Sequence, residues 1–406
     1  MNTGSDRAIQ NIFACYQSTI TQKRNPIKHL KAIDAIVSCR TPARGTSLYE
    51  CENEGTFLAV DHSCKHRSCS VCSTKQKHEW VERQQQRLLD CAHFHCVFTL
   101  PHEYHALWQY NQKWFVTTFF KVVRSTLMDL MKDEKHQGVE PGVLMSMHTW
   151  GRQLTLHPHI HCVVTAGGLK SDGQWKDSSD YLLPARVVRA LYRGRFQSAI
   201  REAIDQQELT LPPDHSRSDC YRLWRETYKK HWCVRIEEKY AHGRGVLLYL
   251  SRYLRGGPVN PKQLVQINHK HIGIRYKDHR DKRLKLMNLK PTEFIRRILL
   301  HVPEPGQHMV RHYGLYGGAA KVKRNECRRQ IGGLLEQIST EDNAKESKED
   351  VLLCRGCGHV LRLRMTMYPR RKKGNSYRVE LNAADIQQEG EPDTALAKKR
   401  SVEMML

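Results

Sequence analysis

The sequence predicts an α+β fold: an antiparallel sheet with helices packed on it, preceded by a small cysteine-rich module. Three observations predict it. Val143–Trp150 and Ile160–Thr165 read as two strands joined by a short turn containing Pro158, and a short connection makes neighbouring strands antiparallel. Stretches with helical spacing flank that pair on both sides. Five cysteines, Cys39, Cys51, Cys64, Cys69 and Cys72, fall within 34 residues near one end of a 406-residue chain.

Taken in order, residues 1–85 are rich in Cys, His and basic residues and poor in long apolar periodicity, which suits a module stapled by metal. A polar linking helix is expected over Lys75–Leu89. The second part, 86–258, holds the sheet. His93–Leu100 reads as a buried strand ended by Pro101, and Glu103–Lys132 as a helix carrying Trp108, Trp114, Phe115 and Phe119. Ala185–Ile204 reads as a basic helix and Cys233–Glu237 as a strand. Val246–Leu254 reads as a helix closed by Gly256-Gly257-Pro258. The third part, 259–335, is a basic extension with a hairpin (Val265–Asn268, His271–Tyr276) and an amphipathic helix, Thr292–Leu300. The fourth, 336–406, opens with the solvated linker Glu341–Asp350. It runs through Cys354-Arg355-Gly356-Cys357 into a polar tail that is expected to be disordered from about residue 370.

Composition narrows the partners. Lys plus Arg number 66 against 42 Asp plus Glu, a formal charge of +24, and a polyphosphate is the usual partner of such a chain. There is no apolar run near the roughly 20 residues of a membrane span, and Met1–Phe13 lacks an apolar signal core. The chain is therefore expected to be intracellular, cytoplasmic and beside the nucleoid, with no membrane partner. Its cysteines are expected to be reduced thiols and metal ligands rather than disulfides.

Three motifs carry chemistry. Cys51 together with Cys64, Cys69 and Cys72 offers four thiolates, and the CxxC spacing lets two sulfurs reach one Zn2+ ion. Cys39, Glu54, His62 and His66 compete for places in that shell. His159-Ile160-His161 puts two imidazoles on one face of a strand, where they can share a divalent ion. His148, on the partner strand, is the candidate third ligand. Tyr249 and Tyr253, four apart on a helix, share one face. Standing alone, such a tyrosine pair is better explained by core packing. Beside a metal ion the two phenols read as nucleophiles toward a phosphodiester, and a phosphotyrosine bond keeps the energy of the cut strand.

The ordered set His148-Thr-Trp-Gly151, His157-Pro-His-Ile-His161 with Ala166-Gly-Gly-Leu169, and Tyr249-Leu-Ser-Arg-Tyr253 resembles the two-tyrosine HUH transposases of rolling-circle insertion sequences, insertion-sequence family ninety-one. The knuckle Cys64–Cys72 and Arg311-His-Tyr-Gly-Leu-Tyr316 are similar to that family too, so the resemblance spans roughly residues 25 to 330. It implies a single-strand DNA nicking and joining enzyme that forms 5′-phosphotyrosine intermediates at insertion-sequence ends and on target DNA. It also implies catalytic Mg2+ or Mn2+ in an HUH endonuclease core, with structural Zn2+ in the N-terminal module. Where the family usually has CxxC, this chain reads Cys51-Glu-Asn-Glu54. Arg244, Arg252, Arg255, Lys270, Arg275 and Lys277 are the leading candidates for contact with the DNA backbone. A replication initiator or relaxase would use the same chemistry, but the zinc module ahead of the nuclease argues against it. A non-enzymatic, zinc-dependent DNA-binding regulator is the reading of a different class.

Overall fold

The computed structural model describes residues 6–22, 24–241, 245, 247, 256–278, 281–332, 351–369 and 377–381. In chain order the elements begin with α1 (Ala8–Thr21), α2 (Ile27–Val37), β1 (Thr46–Glu50), β2 (Phe57–Asp61), α3 (Ser73–Arg87) and β3 (His93–Thr99). There follow α4 (His105–Tyr110), α5 (Gln112–Lys132), β4 (Gly142–Trp150), β5 (Leu156–Thr165), β6 (Gly167–Leu169), β7 (Trp175–Asp177), α6 (Ala185–Asp205), α7 (Arg217–Lys229) and β8 (Val234–Tyr240). The chain continues through β9 (Leu264–Ile267), β10 (Ile272–Lys277), β11 (Leu284–Leu289), α8 (Pro291–Leu300), β12 (Val310–Gly314), α9 (Lys321–Ile331), β13 (Arg362–Pro369) and β14 (Tyr377–Leu381). This is the α+β architecture expected of the sequence. Among the described residues, no helix is long and apolar enough to cross a membrane.

A five-stranded antiparallel sheet, in the order β12-β4-β5-β3-β8, forms the centre. Its strands alternate strictly. Phe94, Cys96 and Phe98, Val143, Met145 and Met147, and Ile160, Cys162 and Val164 face one way, onto a core shared with α5 and α6. That core supplies Phe115, Phe119, Phe120, Tyr192 and Phe196, whose rings meet edge-on or tilted apart from the stacked pair Phe119 and Tyr192. With this face sealed by helices, the histidines are left to the other.

Pro158 lies inside β5 rather than in a turn before it, which corrects the expected strand start. The strand tolerates it because the pairing with β4 slips between His148 and Trp150, and a proline inside a sheet is accommodated at such irregularities. The carbonyl of Pro158 still accepts the Leu100 amide at 3.0 Å. The expected single helix over 103–132 is broken at Asn111, whose side chain donates to the carbonyls of Leu107 and Thr210.

The expected division into four parts does not describe how the chain packs. Residues 1–85 carry real apolar periodicity: Ile9, Ile12, Phe13, Ile33 and Ile36 form a core with Leu264, Ile274, Phe294, Ile295 and Ile298 from the basic extension. That extension also lends β12 to the central sheet. The described part of the C-terminal segment is folded against the N-terminal module, since β13 pairs with β1 and β14 pairs with β13, so that β14-β13-β1-β2 make one sheet. Tyr377–Leu381 is thus a strand, within the stretch expected to be disordered.

Candidate functional site

The histidine cluster is built by register. His148 on β4 stands directly opposite His159 on β5, and Ser146 opposite His161. The ring centroids of His148 lie 5.4 Å from His159 and 4.5 Å from His161, and those of His159 and His161 are 4.8 Å apart. One ring nitrogen from each of the three lies within 4.8 Å of the others, a spacing that suits three imidazoles around one ion. His148 and His161 are buried, and His159 is half-exposed.

Hydrogen bonds fix the rings. His159 Nδ1 lies 2.7 Å from the carbonyl oxygen of His157, to which only an N–H can donate, so Nε2 is left as the ligand atom. His161 Nδ1 pairs with His95 Nε2 at 2.8 Å, and the two rings stack at 5.0 Å. His95 was not identified from the sequence. Its signal was present, because His93 and His95 repeat the period-two pattern of His159 and His161, but only the strand order puts β3 beside β5.

Burial holds all three imidazoles neutral. His159 is pushed down to about 4, and His148 and His161 fall well below the ordinary histidine value. Mutual repulsion between the rings adds to burial for His148 and His161. At His148 the Arg67 guanidinium of the cysteine module contributes as well. Neutral imidazoles are the form that binds metal, so this cluster meets a cation without first losing protons. Among the described residues no carboxylate joins the triad, and three neutral nitrogens would leave the remaining positions of a hard ion to oxygen from substrate and water.

Four cysteines, Cys39, Cys64, Cys69 and Cys72, form a second cluster with all sulfurs within 4.8 Å. Cys39 follows the end of α2 and Cys72 caps the start of α3, so the cluster joins two helices. Cys64 and Cys72 Sγ are 3.7 Å apart, and the amide of Cys64 donates to Cys39 Sγ at 3.4 Å. Bonds from the other three thiols hold Cys39 well below the usual thiol range. Cys64 and Cys69 are pushed well above it, chiefly through Cys39. A zinc ion held by these four thiols would resolve this competition by ionising all of them. The expected shell of Cys51, Cys64, Cys69 and Cys72 is corrected in one member. Cys39 takes the fourth place, because β1 carries Cys51 away to a different cluster with Glu54, Cys354 and Cys357. His66 is also outside the four-cysteine group, its Nδ1 accepting from the Ser68 amide, and His62 Nε2 pairs with Ser47 Oγ.

Tyr249 and Tyr253, with Arg244, Arg252 and Arg255, lie outside the described residues. The chain on either side of the tyrosines is described. Leu247 is buried with Leu144 and Val163, which project from β4 and β5 on the same face as the histidines. Gly256 donates its amide to the Arg67 carbonyl at 2.8 Å. Of the remaining basic candidates, Lys270, Arg275 and Lys277 are exposed, the last two side by side on β10. That strand is docked to the β4–β5 loop, where Arg152 donates to the Lys277 carbonyl and Gln153 to the Tyr276 hydroxyl. A cleft of about 190 Å3 lined by Arg67, Gln76, Lys77, Trp80, His308 and Met309 lies beside β4, with the Met309 carbonyl accepting from the amide of Met147.

Comparison with known proteins finds two family matches along the chain. A transposase zinc-binding domain family, named for IS91, matches residues 8–100, and a family described as "Putative transposase" matches residues 142–325. A Sinorhizobium fredii protein bearing that same description, y4qJ, is 32% identical over 327 residues, covering 79% of this chain and 82% of its own length. The transposase for insertion sequence element IS801 of Pseudomonas savastanoi pv. phaseolicola is 29% identical over 321 residues, 76% of each chain. No solved structure matches.

Proposed function

The chain belongs to the IS91-family transposases with an N-terminal zinc-binding domain, and on that premise we propose that it nicks and rejoins single-stranded DNA at insertion-sequence ends. Tyr249 and Tyr253 serve as the nucleophiles. A tyrosine Oη attacks the scissile phosphorus and loses its proton. The P–O3′ bond breaks, and the departing oxygen takes up a proton to become a free 3′-OH. The protein is then joined to the 5′ phosphate. A 3′-OH from another strand end attacks the same phosphorus and frees the tyrosine, so no bond energy is lost and two tyrosines allow two ends to be held at once.

His148, His159 and His161 would hold a divalent ion, Mg2+ or Mn2+, which would supply Lewis-acid polarisation of the scissile phosphate and charge stabilisation of the leaving oxygen. The chain's own residues do the rest. His95 and the His157 carbonyl orient the imidazoles. Arg67, Lys77 and Trp80 line a cleft suited to one phosphate backbone with a base stacked on the indole. Lys270, Arg275 and Lys277 extend the positive surface toward the incoming strand.

The observation that carries this reading is that the nearest described residues on either side of the tyrosines are anchored, one of them on the histidine face of the sheet. Leu247 is buried there, and Gly256, three residues beyond Tyr253, is tied to Arg67, the residue whose charge reaches His148. The test is incubation with labelled single-stranded oligonucleotides from the element's ends and Mn2+, followed by a denaturing gel. Tyr249→Phe and Tyr253→Phe each reduce the covalent adduct, and the double variant abolishes it. An intact adduct in the double variant overturns the assignment. DNA binding without any nicking by the wild type would favour the non-enzymatic regulator.

A further inference from the structure

Outside the site and outside the four-cysteine cluster, the two ends of the chain meet at a pair of matching loops. Cys51-Glu-Asn-Glu54-Gly55-Thr56 and Cys354-Arg-Gly-Cys357-Gly358-His359 have the same backbone pattern. In the first, the Cys51 amide donates to the Thr56 carbonyl at 2.8 Å, and the Gly55 amide to the Cys51 carbonyl at 2.7 Å. In the second, the Cys354 amide donates to the His359 carbonyl at 2.8 Å, and the Gly358 amide to the Cys354 carbonyl at 3.0 Å. Both glycines adopt positive φ, +67° at Gly55 and +72° at Gly358, which a side chain would resist. Backbone amides of Asn53 and Glu54 point at Cys51 Sγ, and the His359 amide at Cys357 Sγ, as expected of turns that present thiolates. Glu54 therefore occupies in the first loop the position Cys357 occupies in the second.

We propose that Cys51, Glu54, Cys354 and Cys357 form a second zinc site, which clips the C-terminal segment onto the N-terminal module. Their ligand atoms lie within 4.8 Å of one another. Cys51 and Cys357 Sγ are 3.4 Å apart, and Cys354 Sγ lies 3.2 Å from Glu54 Oε2. Tetrahedral zinc with bonds near 2.3 Å sets its sulfurs roughly 3.8 Å apart, so a small outward movement seats the ion. Three thiolates select zinc over Mg2+ or Ca2+, and zinc accepts a carboxylate oxygen as fourth ligand. Cys51 and Cys354 are buried together with Leu361. The surroundings hold the loops in this pose. β1 pairs with β13 so that Glu50 faces Arg362, Arg364 binds Glu50 at 2.5 Å and Glu52 at 3.3 Å, and Arg362 binds Glu52 at 2.6 Å. Cys354 and Cys357 lie beyond the zinc-binding domain match at 8–100, so this site is assembled by the tertiary fold from segments about 300 residues apart.

The test is zinc content of the purified full-length chain by elemental mass spectrometry, with release to a chelator followed in time. Cys354→Ser/Cys357→Ser is expected to hold one zinc fewer than wild type, and Cys69→Ser/Cys72→Ser to lose a different equivalent. Two variants that preserve the loops guard against misfolding. Glu54→Gln should release the second zinc at least about tenfold faster, and Glu54→Cys about tenfold slower. Equal zinc content in wild type and Cys354→Ser/Cys357→Ser overturns the proposal, as does release unaffected by both changes at Glu54. A disulfide between Cys51 and Cys357 in the purified chain would overturn it as well.

Discussion

The histidine triad and the four-cysteine cluster each gather their ligand atoms within 4.8 Å, yet they are built by opposite means. The triad sits on two adjacent strands, and once β4 and β5 are in register nothing else is needed to bring His148 to His159. The cysteines come from a helix end, an irregular loop and a helix start, none of which imposes a period. One site is a consequence of the fold, and the other is a cause of it. The sheet beneath the triad rests on a large aromatic core, whereas the loop holding Cys64 and Cys69 adds only cysteines and Val71 to the core it packs against.

The largest expected effect follows from that contrast. Cys69→Ser/Cys72→Ser removes a structural ion whose apparent binding energy in small zinc modules is on the order of 10 kcal/mol. The N-terminal module should therefore lose its cooperative melting transition in circular dichroism. Melting like the wild type would mean that Ile9, Ile12, Phe13 and Phe294 hold the module without metal. His159→Ala/His161→Ala should show the converse behaviour. Thermal unfolding stays within a few degrees, while covalent adduct formation with single-stranded DNA in Mn2+ falls by about 1,000-fold or more. A variant that still forms adduct places the ion elsewhere.

A smaller step tests the ring orientation. His95→Phe keeps an aromatic ring beside His161 but removes the nitrogen that pairs with its Nδ1, so Mn2+ affinity should fall roughly 10- to 100-fold. Unchanged affinity would show that the strand alone orients His161.

The smallest effect is a pH dependence of stability, which separates fold from site. His93 is fully buried, with Nδ1 on the Cys91 carbonyl and Nε2 on the Tyr316 hydroxyl, and burial lowers it to about 4. The unfolded chain, with His93 near 6.5, takes up its proton first as pH falls. Stability is therefore full above pH 6.5 and declines toward pH 4, by about 2 kcal/mol at pH 5. Urea unfolding at pH 7 and pH 5 measures it, and His93→Gln should remove that share of the difference. An unchanged slope in the variant would assign the acid sensitivity to other buried histidines, such as His301.

Several features were legible because their physics is local. Strand alternation places His159 and His161 on one face, and the helix spacing of α3, α6 and α8 set their limits within a few residues. Where the local rule was read too strictly, it misled. Pro158 reads as a turn residue that sets the start of the second strand, but it lies inside β5, where a slip in register absorbs it. Residues 8–37 were passed over as lacking periodicity because their apolar face is completed by α8 and β9–β11, which lie more than 200 residues away in sequence.

By itself, then, the sequence determined the α+β class, the shared face of His159 and His161, the positive charge and the presence of a thiolate knuckle. Each of these follows from spacing along one segment or from composition alone. Only the tertiary structure decided that His95 supports His161, that Cys39 rather than Cys51 completes the first cysteine cluster, and that Cys51 meets Cys354 and Cys357 across the chain. Those choices depend on which strand lies beside which. Strand order follows from burying whole faces together, not from the periodicity of any one segment.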